Sequence, residues 1–215
     1  MATEPNIAGL DIAGARFLPG LLSVHEQIEL AGEIAAIMAE APLFRPRMPR
    51  NGRPFSVSMT NCGALGWVSD ESGYRYQSHH PVTGRCWPAL PGRLAALWQR
   101  VTGLAALPEA CLVNYYDGHA RMGLHQDRDE ADFRAPVLSL SLGDSALFRI
   151  GGTARGGPTR SVTLASGDGL VLEGASRLAF HGIDRIRAGS SRLLPQGGRI
   201  NLTLRRVTPL PDDGG

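Results

Sequence analysis

The sequence predicts a mainly β domain with supporting helices, of the sandwich or jelly-roll kind. Three observations indicate this class. The second half of the chain consists of short apolar runs separated by turn residues, and the first half contains two helical patterns. The chain contains 27 glycines and 15 prolines in 215 residues, and this content also favours a turn-rich β architecture over a helical bundle. A chain of this length suits one domain with a substantial core.

Two helices are predicted before the β region. The first spans about residues 23–40, where Ser23 and Glu26 have the spacing of a capping box and apolar residues follow at helical spacing. The second is expected over 91–102, because it begins with Pro and Gly103 stands just past its end. Both helices are expected to support the sheets that follow.

The β pattern begins near residue 112. The predicted strands lie at 112–116, 136–143, 146–152, 161–164, 169–174, 176–182 and 199–207. Shorter strand-like pieces occur within 54–78, among several aromatic residues. The tail, 208–215, is expected to be disordered.

Composition excludes several classes of protein. The formal net charge is only +2, so nucleic-acid binding cannot be argued from bulk charge. Three widely spaced cysteines indicate reduced thiols rather than a disulfide scaffold or a zinc ribbon. The N-terminus does not resemble a signal peptide, and no apolar stretch reaches membrane-spanning length. We therefore expect a soluble intracellular protein.

The densest group of functional residue types is the run GLHQDRD at 123–129. His125 and Asp127 are two apart, so in an extended segment their side chains point the same way. They could supply two ligands to a divalent metal, and His181 is the candidate third. Two histidines and a carboxylate on one face leave open positions, as in non-haem Fe(II) oxygenases. His-x-Asp is a weak signal, and His181 alone would be interpreted as a core or capping histidine.

The segment RINLTLR at 199–205 alternates polar and apolar residues, as a half-buried strand does. Arg199 and Arg205 share its polar face with Asn201 and Thr203. Such a face could equally point to solvent. Downstream of a metal site that uses a dicarboxylate, however, it would place arginine where a carboxylate binds.

Further motifs stand in order along the chain. They are TNCGALGW at 60–67, GYRY at 73–76, N-x-Y at 114–116, LHQDRDE at 124–130, RAPVLSLSLG at 134–143, FRIGGTAR at 148–155, GD at 167–168, SRLAFHGI at 176–183 and RINLTLR at 199–205. Together they resemble the AlkB family of repair dioxygenases, over about residues 55–206 and with nearly constant spacing. Ordered motifs over most of the chain are far more specific than any one of them.

The resemblance implies a double-stranded β-helix, or jelly roll, as the catalytic core at 111–207, with helices and a nucleotide-recognition lid at about 12–110. It implies Fe(II) as cofactor, with 2-oxoglutarate and O₂ as cosubstrates. The implied iron ligands are His125, Asp127 and His181. The implied 2-oxoglutarate pocket consists of Asn114, Tyr116, Arg199, Asn201 and Arg205, with Arg199 on the distal carboxylate. The implied substrate-binding residues are Met59, Trp67, Tyr74, Asp129 and Arg155.

The activity implied is oxidative demethylation of N1-methyladenine and N3-methylcytosine in single- or double-stranded DNA, with release of formaldehyde, succinate and CO₂. RNA is an alternative substrate. The residues agree with this activity, since a flipped base needs aromatic faces and polar groups at its edge. Asp129 and the aromatic rings would also attract a cationic methylated base. We expect a monomer in the bacterial cytoplasm.

Other interpretations stay open at this point. Without the resemblance, Trp67 and Tyr74 would be taken for core aromatics. The oxygenase could act on a protein or a small molecule, or the jelly roll could be a binding protein without redox activity. Leu172 stands where the closest bacterial members have Trp, and Phe55 stands where Tyr is common, so both departures are expected to bear on the base preference. The Arg-rich loop at 45–53 could contact phosphates or be merely solvated.

Overall fold

The computed structural model describes residues 7–211, and within that range it contains two helices and thirteen strands. The strands are β1 (Leu10–Ile12), β2 (Ala15–Leu18), β3 (Ser58–Gly63), β4 (Gly66–Asp70), β5 (Gly73–Gln77), β6 (Ala110–Tyr116), β7 (Met122–His125), β8 (Val137–Gly143), β9 (Ser145–Ile150), β10 (Arg160–Leu164), β11 (Gly169–Leu172), β12 (His181–Arg187) and β13 (Arg199–Arg205). The helices are α1 (Val24–Glu40) and α2 (Gly92–Thr102).

Both predicted helices are confirmed, and their ends have the expected causes. Helix α1 begins after Ser23, whose hydroxyl accepts the Glu26 N–H at 3.3 Å while the Glu26 carboxylate accepts the Ser23 N–H at 2.7 Å. Helix α2 ends at Gly103, which has a left-handed φ of 73° and donates its N–H to the Gln99 carbonyl at 2.8 Å.

The strands form two facing sheets and a separate hairpin. The large sheet has the order β1-β2-β11-β8-β13-β6-β3, and the small sheet has the order β10-β9-β12-β7. Every pair of neighbouring strands in both sheets is antiparallel. This is the predicted jelly roll. The β4–β5 hairpin forms its own two-stranded sheet, within the region 12–110 where a lid is expected from the sequence.

Strand β13 lies near the middle of the large sheet, between β6 and β8. Ile200, Leu202 and Leu204 pack with residues of α1 and α2 in one apolar cluster. The polar face of β13 points to the other side. The sequence predicts a half-buried strand, but all seven residues are buried, because the small sheet covers the polar face. The polar side chains therefore line the space between the sheets.

Two parts of the β prediction need correction. The strand expected at 176–182 does not form over its first five residues. Ser176 ends a 3-10 turn (Gly174–Ser176), residues 177–180 form a loop, and β12 begins at His181 itself. Strands β1 and β2 were not expected. They extend the large sheet by pairing β2 with β11, so residues well before 111 contribute to the jelly roll.

The C-terminal segment is ordered past residue 208. The Thr208 N–H and hydroxyl bond the Glu109 carboxylate at 2.8 Å, and the Leu210 N–H bonds Asp132 at 3.1 Å. The rest of the predicted disordered tail, 212–215, lies outside the described residues. Within residues 7–211, no helix combines the length and apolar character needed to cross a membrane.

Candidate metal centre and substrate pocket

The three predicted metal ligands converge between the sheets. His125 ends β7 and His181 begins β12, and the two residues are directly paired across these strands. Asp127 follows in the loop after β7, so its position does not come from strand alternation as the sequence suggested. Its carboxylate oxygens lie 3.6 Å from His125 Nε2 and 3.7 Å from His181 Nε2. All three donor atoms lie within 4.8 Å of one another.

Both histidines present the same nitrogen to the centre. His125 Nδ1 lies 3.0 Å from the Gly123 carbonyl, and His181 Nδ1 lies 2.9 Å from the Ala179 carbonyl. Because a carbonyl can only accept, each Nδ1 carries the proton and each Nε2 lone pair is free to bind a metal. Burial, with the neighbouring His125, lowers the pKa of His181 to about 4. His181 is therefore a neutral, ligand-competent imidazole at pH 7.

Asp127 supplies the negative charge of this group. Burial alone would raise its pKa, but the Arg205 guanidinium 2.8 Å away holds it well below its usual range. The carboxylate is thus ionised in a buried setting. Two imidazole nitrogens and one anionic oxygen on one side of a cavity fit Fe(II) and leave room for further ligands.

A second polar group suits a dicarboxylate. Arg199 is 1% exposed, and its Nη2 donates to the Ser141 hydroxyl at 3.0 Å. Its Nε and Nη1, and Asn114 Oδ1, are buried without a hydrogen-bond partner among residues 7–211. Burial lowers the pKa of Arg199 to about 10. A buried guanidinium with unpaired N–H groups is costly, so a carboxylate is the ligand that this position lacks.

The other predicted cosubstrate residues lie around Arg199. Tyr116 has its ring centroid 5.4 Å from the Arg199 guanidinium carbon, and Asn201 Nδ2 donates to the Ser139 hydroxyl at 2.7 Å. Arg205 differs from the others because it is already paired, with Asp127 and with Glu130. Its place in the structure is therefore beside the metal ligands.

All thirteen predicted site residues line one cavity of about 870 Å³. Trp67 and Tyr74 stand at its mouth, on neighbouring strands of the β4–β5 hairpin, with ring centroids 5.6 Å apart and planes 18° apart. Trp67 is half-buried and Tyr74 is 52% exposed, so neither is a core aromatic. Trp67 Nε1 donates to Asp129 at 2.7 Å, which joins an aromatic face to a carboxylate.

The remaining substrate-side residues occupy the walls of the cavity. Met59 is buried on β3, and Arg155 is exposed, with its guanidinium carbon 5.0 Å from the centroid of the Phe180 ring. Phe55 and Leu172, the two departures from the family pattern, also line the cavity. Phe55 meets Trp67 edge-on, with centroids 6.2 Å apart. Both departures are thus placed where they alter the shape of the pocket.

Sequence reasoning missed several polar residues of the site. Ser139 and Ser141 accept from Asn201 and Arg199, and their signal was present in the alternation of VLSLSLG. Glu130 lies within the HQDRDE run, but its buried partners come from distant segments. Such long-range pairing leaves no local pattern in a sequence.

Comparisons with known proteins agree with this geometry. The family model described as the 2OG-Fe(II) oxygenase superfamily matches residues 14–205. The AlkB homolog of Caulobacter vibrioides, an alpha-ketoglutarate-dependent dioxygenase, is 55% identical over 196 residues, which cover 91% of this chain and 89% of the relative. AlkB of Escherichia coli is 41% identical over 183 residues, covering 83% and 84%. The solved structure of OsALKBH1 matches with a TM-score of 0.80 and 28% identity, covering 92% of this chain and 98% of that one.

The jelly roll, the His-Asp-His group and the buried unpaired arginine define an Fe(II)- and 2-oxoglutarate-dependent dioxygenase. Its cofactor is Fe(II), and its cosubstrates are 2-oxoglutarate and O₂. Within this superfamily, the chain belongs to the AlkB family.

Proposed function

We propose that this dioxygenase removes methyl groups by oxidation from the ring nitrogens of damaged bases, above all N1-methyladenine and N3-methylcytosine in DNA. The proposed iron ligands are His125, Asp127 and His181, and the proposed anchor for the distal carboxylate of 2-oxoglutarate is Arg199. The enzyme is proposed to act as a monomer in the cytoplasm.

The observation that carries the proposal is the pairing of Trp67 with Asp129. The indole offers a flat face at the mouth of the cavity, and its N–H is bonded to the Asp129 carboxylate at 2.7 Å. Asp129 lies two residues beyond the ligand Asp127, so face and carboxylate are held close to the metal. A methylated base is flat, carries positive charge and has an amino group at its edge. The Trp67 ring can stack on the flat base, and the Asp129 carboxylate can attract the charge and accept from the amino group.

The surface around the cavity suits a nucleic-acid strand. Arg155 lines the cavity, as does Met48 of the Arg-rich loop at 45–53, and Arg45, Arg50 and Arg53 of the same loop are exposed. Exposed arginines near the cavity can contact the phosphates of a strand whose flipped base enters it. A further relative, ALKBH1C of Arabidopsis thaliana, is named a DNA N(6)-methyladenine demethylase. These features favour a base within a strand over a free small molecule.

When bound, Fe(II), 2-oxoglutarate and O₂ supply the oxidation: one oxygen atom enters a C–H bond of the N-methyl group, and the other forms succinate as CO₂ leaves. The chain supplies placement. The two imidazoles are held by Gly123 and Ala179, the cosubstrate carboxylate is held by Arg199, and the base is held by Trp67 and Asp129. The hydroxymethylated base then loses formaldehyde, and its ring nitrogen recovers its electron pair.

The test is mass spectrometry of an oligonucleotide with one N1-methyladenine, incubated with enzyme, Fe(II), 2-oxoglutarate and ascorbate. We expect loss of the methyl group to require 2-oxoglutarate and to vanish in Asp127→Ala. The matched control is Asp184→Ala, since Asp184 is exposed on β12 and does not line the cavity. Succinate formed without methyl loss would refute the substrate and leave the class intact. A ribo-oligonucleotide that reacts faster than its DNA counterpart would shift the substrate to RNA.

A further inference from the structure

The two segments that bear the metal ligands meet through little backbone pairing. His125 and His181 are paired, but β7 ends at His125, and Asp127 lies in an irregular loop. On the other side, residues 177–180 are also outside any strand. Sheet hydrogen bonds therefore do not explain how the Asp127 carboxylate keeps its place. Side chains from these two segments provide the missing connection.

Arg177 provides the larger part of this connection. Its Nη1 donates to the Asp127 carbonyl at 2.7 Å, its Nη2 to Glu130 at 2.9 Å and its Nε to the Ala135 carbonyl at 2.8 Å. All three partners belong to the loop that follows β7. Arg177 is 2% exposed and stands four residues before His181, so one buried side chain joins the two ligand segments.

Gln126 makes the reciprocal bond. Its Nε2 donates to the Leu178 carbonyl at 2.6 Å, next to Arg177 in the sequence. Each segment thus sends one side chain to the backbone of the other. Because Gln126 lies between His125 and Asp127, this bond fixes the segment that carries both ligands.

Glu130 completes the arrangement. One of its oxygens bonds Arg177, and the other bonds Arg205 at 3.1 Å. Arg205 in turn holds the Asp127 carboxylate at 2.8 Å. Arg177 therefore fixes the Asp127 backbone directly, and through Glu130 and Arg205 it also acts on the Asp127 carboxylate. The two cations and two anions offset one another in the buried space.

We propose that Arg177 is a positioning residue for the metal centre, with Gln126 as its counterpart on the opposite segment. The pair sets the spacing of the Asp127 oxygen from the two imidazole nitrogens, and so sets metal affinity and ligand geometry. This inference rests on the ligand set in the proposed function. Residues that orient metal ligands typically change metal affinity by 10- to 100-fold when they are replaced.

The experiment is Co(II) titration of metal-free protein, followed by the visible d–d absorption, which reports the geometry of the ligands. Arg177→Lys retains the charge but cannot reach three acceptors at once. We expect it to bind Co(II) about tenfold or more weakly and with an altered spectrum. Arg16→Lys is the matched control, because Arg16 is paired with Glu173 at 2.8 Å and donates to the Val101 carbonyl at 3.1 Å, and it does not line the cavity.

Gln126→Ala keeps the test decisive if Arg177→Lys does not fold. It should also weaken Co(II) binding, by a smaller factor, because it removes one bond of the connection. Wild-type affinity and spectrum in the folded variants, or an equal loss in Arg16→Lys, would overturn the proposal and leave a purely structural role. Failure of the ligand set gives a different result, since Asp127→Ala would then bind Co(II) as well as the wild type does.

Discussion

Arg199 is a buried cation with incomplete hydrogen bonding, because its Nε and Nη1 have no partner among the residues that the structure describes. Its one hydrogen bond to a side chain goes to the neutral Ser141 hydroxyl. If this position exists to bind a carboxylate, then replacing Arg199 by Met should have two opposite effects. The metal-free protein should become more stable, and binding of 2-oxoglutarate should be lost.

The size of the first effect follows from the pKa. Burial lowers the pKa of Arg199 from 12.5 to about 10, and one pKa unit corresponds to about 1.4 kcal/mol, so burying the charge costs about 3 kcal/mol. Replacing Arg199 also removes its hydrogen bond to Ser141, which reduces the gain in stability by about 1 kcal/mol. The net gain of about 2 kcal/mol should raise the melting temperature by about 4 to 8 °C in a domain of this size.

The assay is thermal unfolding followed by circular dichroism, first on metal-free protein and then on Mn(II)-loaded protein with and without 2-oxoglutarate. A ligand at 100 times its Kd stabilises the wild type by about 2.7 kcal/mol, and this increment should be absent from Arg199→Met.

Arg177→Met is the matched control, because Arg177 is equally buried but fully bonded. It should lose about 3 to 5 kcal/mol. The reasoning is refuted if Arg199→Met is destabilised like the control, or if it still responds to 2-oxoglutarate.

Three further predictions concern the rest of the chain. Ser23→Ala should lower the free energy of unfolding in urea by about 1 kcal/mol and Ser23→Gly by only a few tenths; equal losses would contradict the capping role. Burial raises the pKa of Tyr76, and the nearby Glu130 carboxylate raises it further. Burial also raises the pKa of Tyr116, to about 12. Both stay protonated in the folded chain where unfolded tyrosines ionise, so stability should fall as the pH rises above 10. An absorbance titration of the native protein in which every tyrosine ionises near pH 10 would exclude this. Cys86 is exposed and the other two cysteines are buried, so a thiol reagent should label one site in native protein and three in denaturant; a second native site would contradict the fold.

The elements that could be predicted from the sequence are those with local causes. The capping box at Ser23 and the glycine after α2 place the helix ends, and the alternation in β13 assigns each side chain to its face. The two-residue spacing of His125 and Asp127 also indicated the ligand group, although Asp127 lies in the loop after β7 and not on the strand that this spacing implied. The resemblance in ordered motifs then supplied what spacing alone could not, namely the cosubstrate and the residues at the mouth of the cavity.

The failures have a physical cause in long-range pairing. Residues 176–180 have the apolar character of a strand. Arg177, however, donates to backbone carbonyls 42 and 50 residues away. These bonds hold the segment as a loop, and its backbone does not pair with a neighbouring strand. Strand β2 pairs with β11 over a much longer gap in the chain, since Leu18 lies opposite Gly169. No period in the sequence encodes such partners.

Three buried arginines show how structure adds to sequence at this site. Arg177 and Arg205 face carboxylates that the chain itself provides, so their charges are neutralised before any ligand arrives. Arg199 faces none, and the cavity in front of it is open to solvent through the aromatic mouth. In the sequence these three arginines have similar apolar neighbours, so the sequence alone does not distinguish their roles. The chain neutralises the two that hold Asp127 in place. It leaves unpaired the one that we propose binds the dicarboxylate cosubstrate, because a permanent internal partner would compete with that cosubstrate.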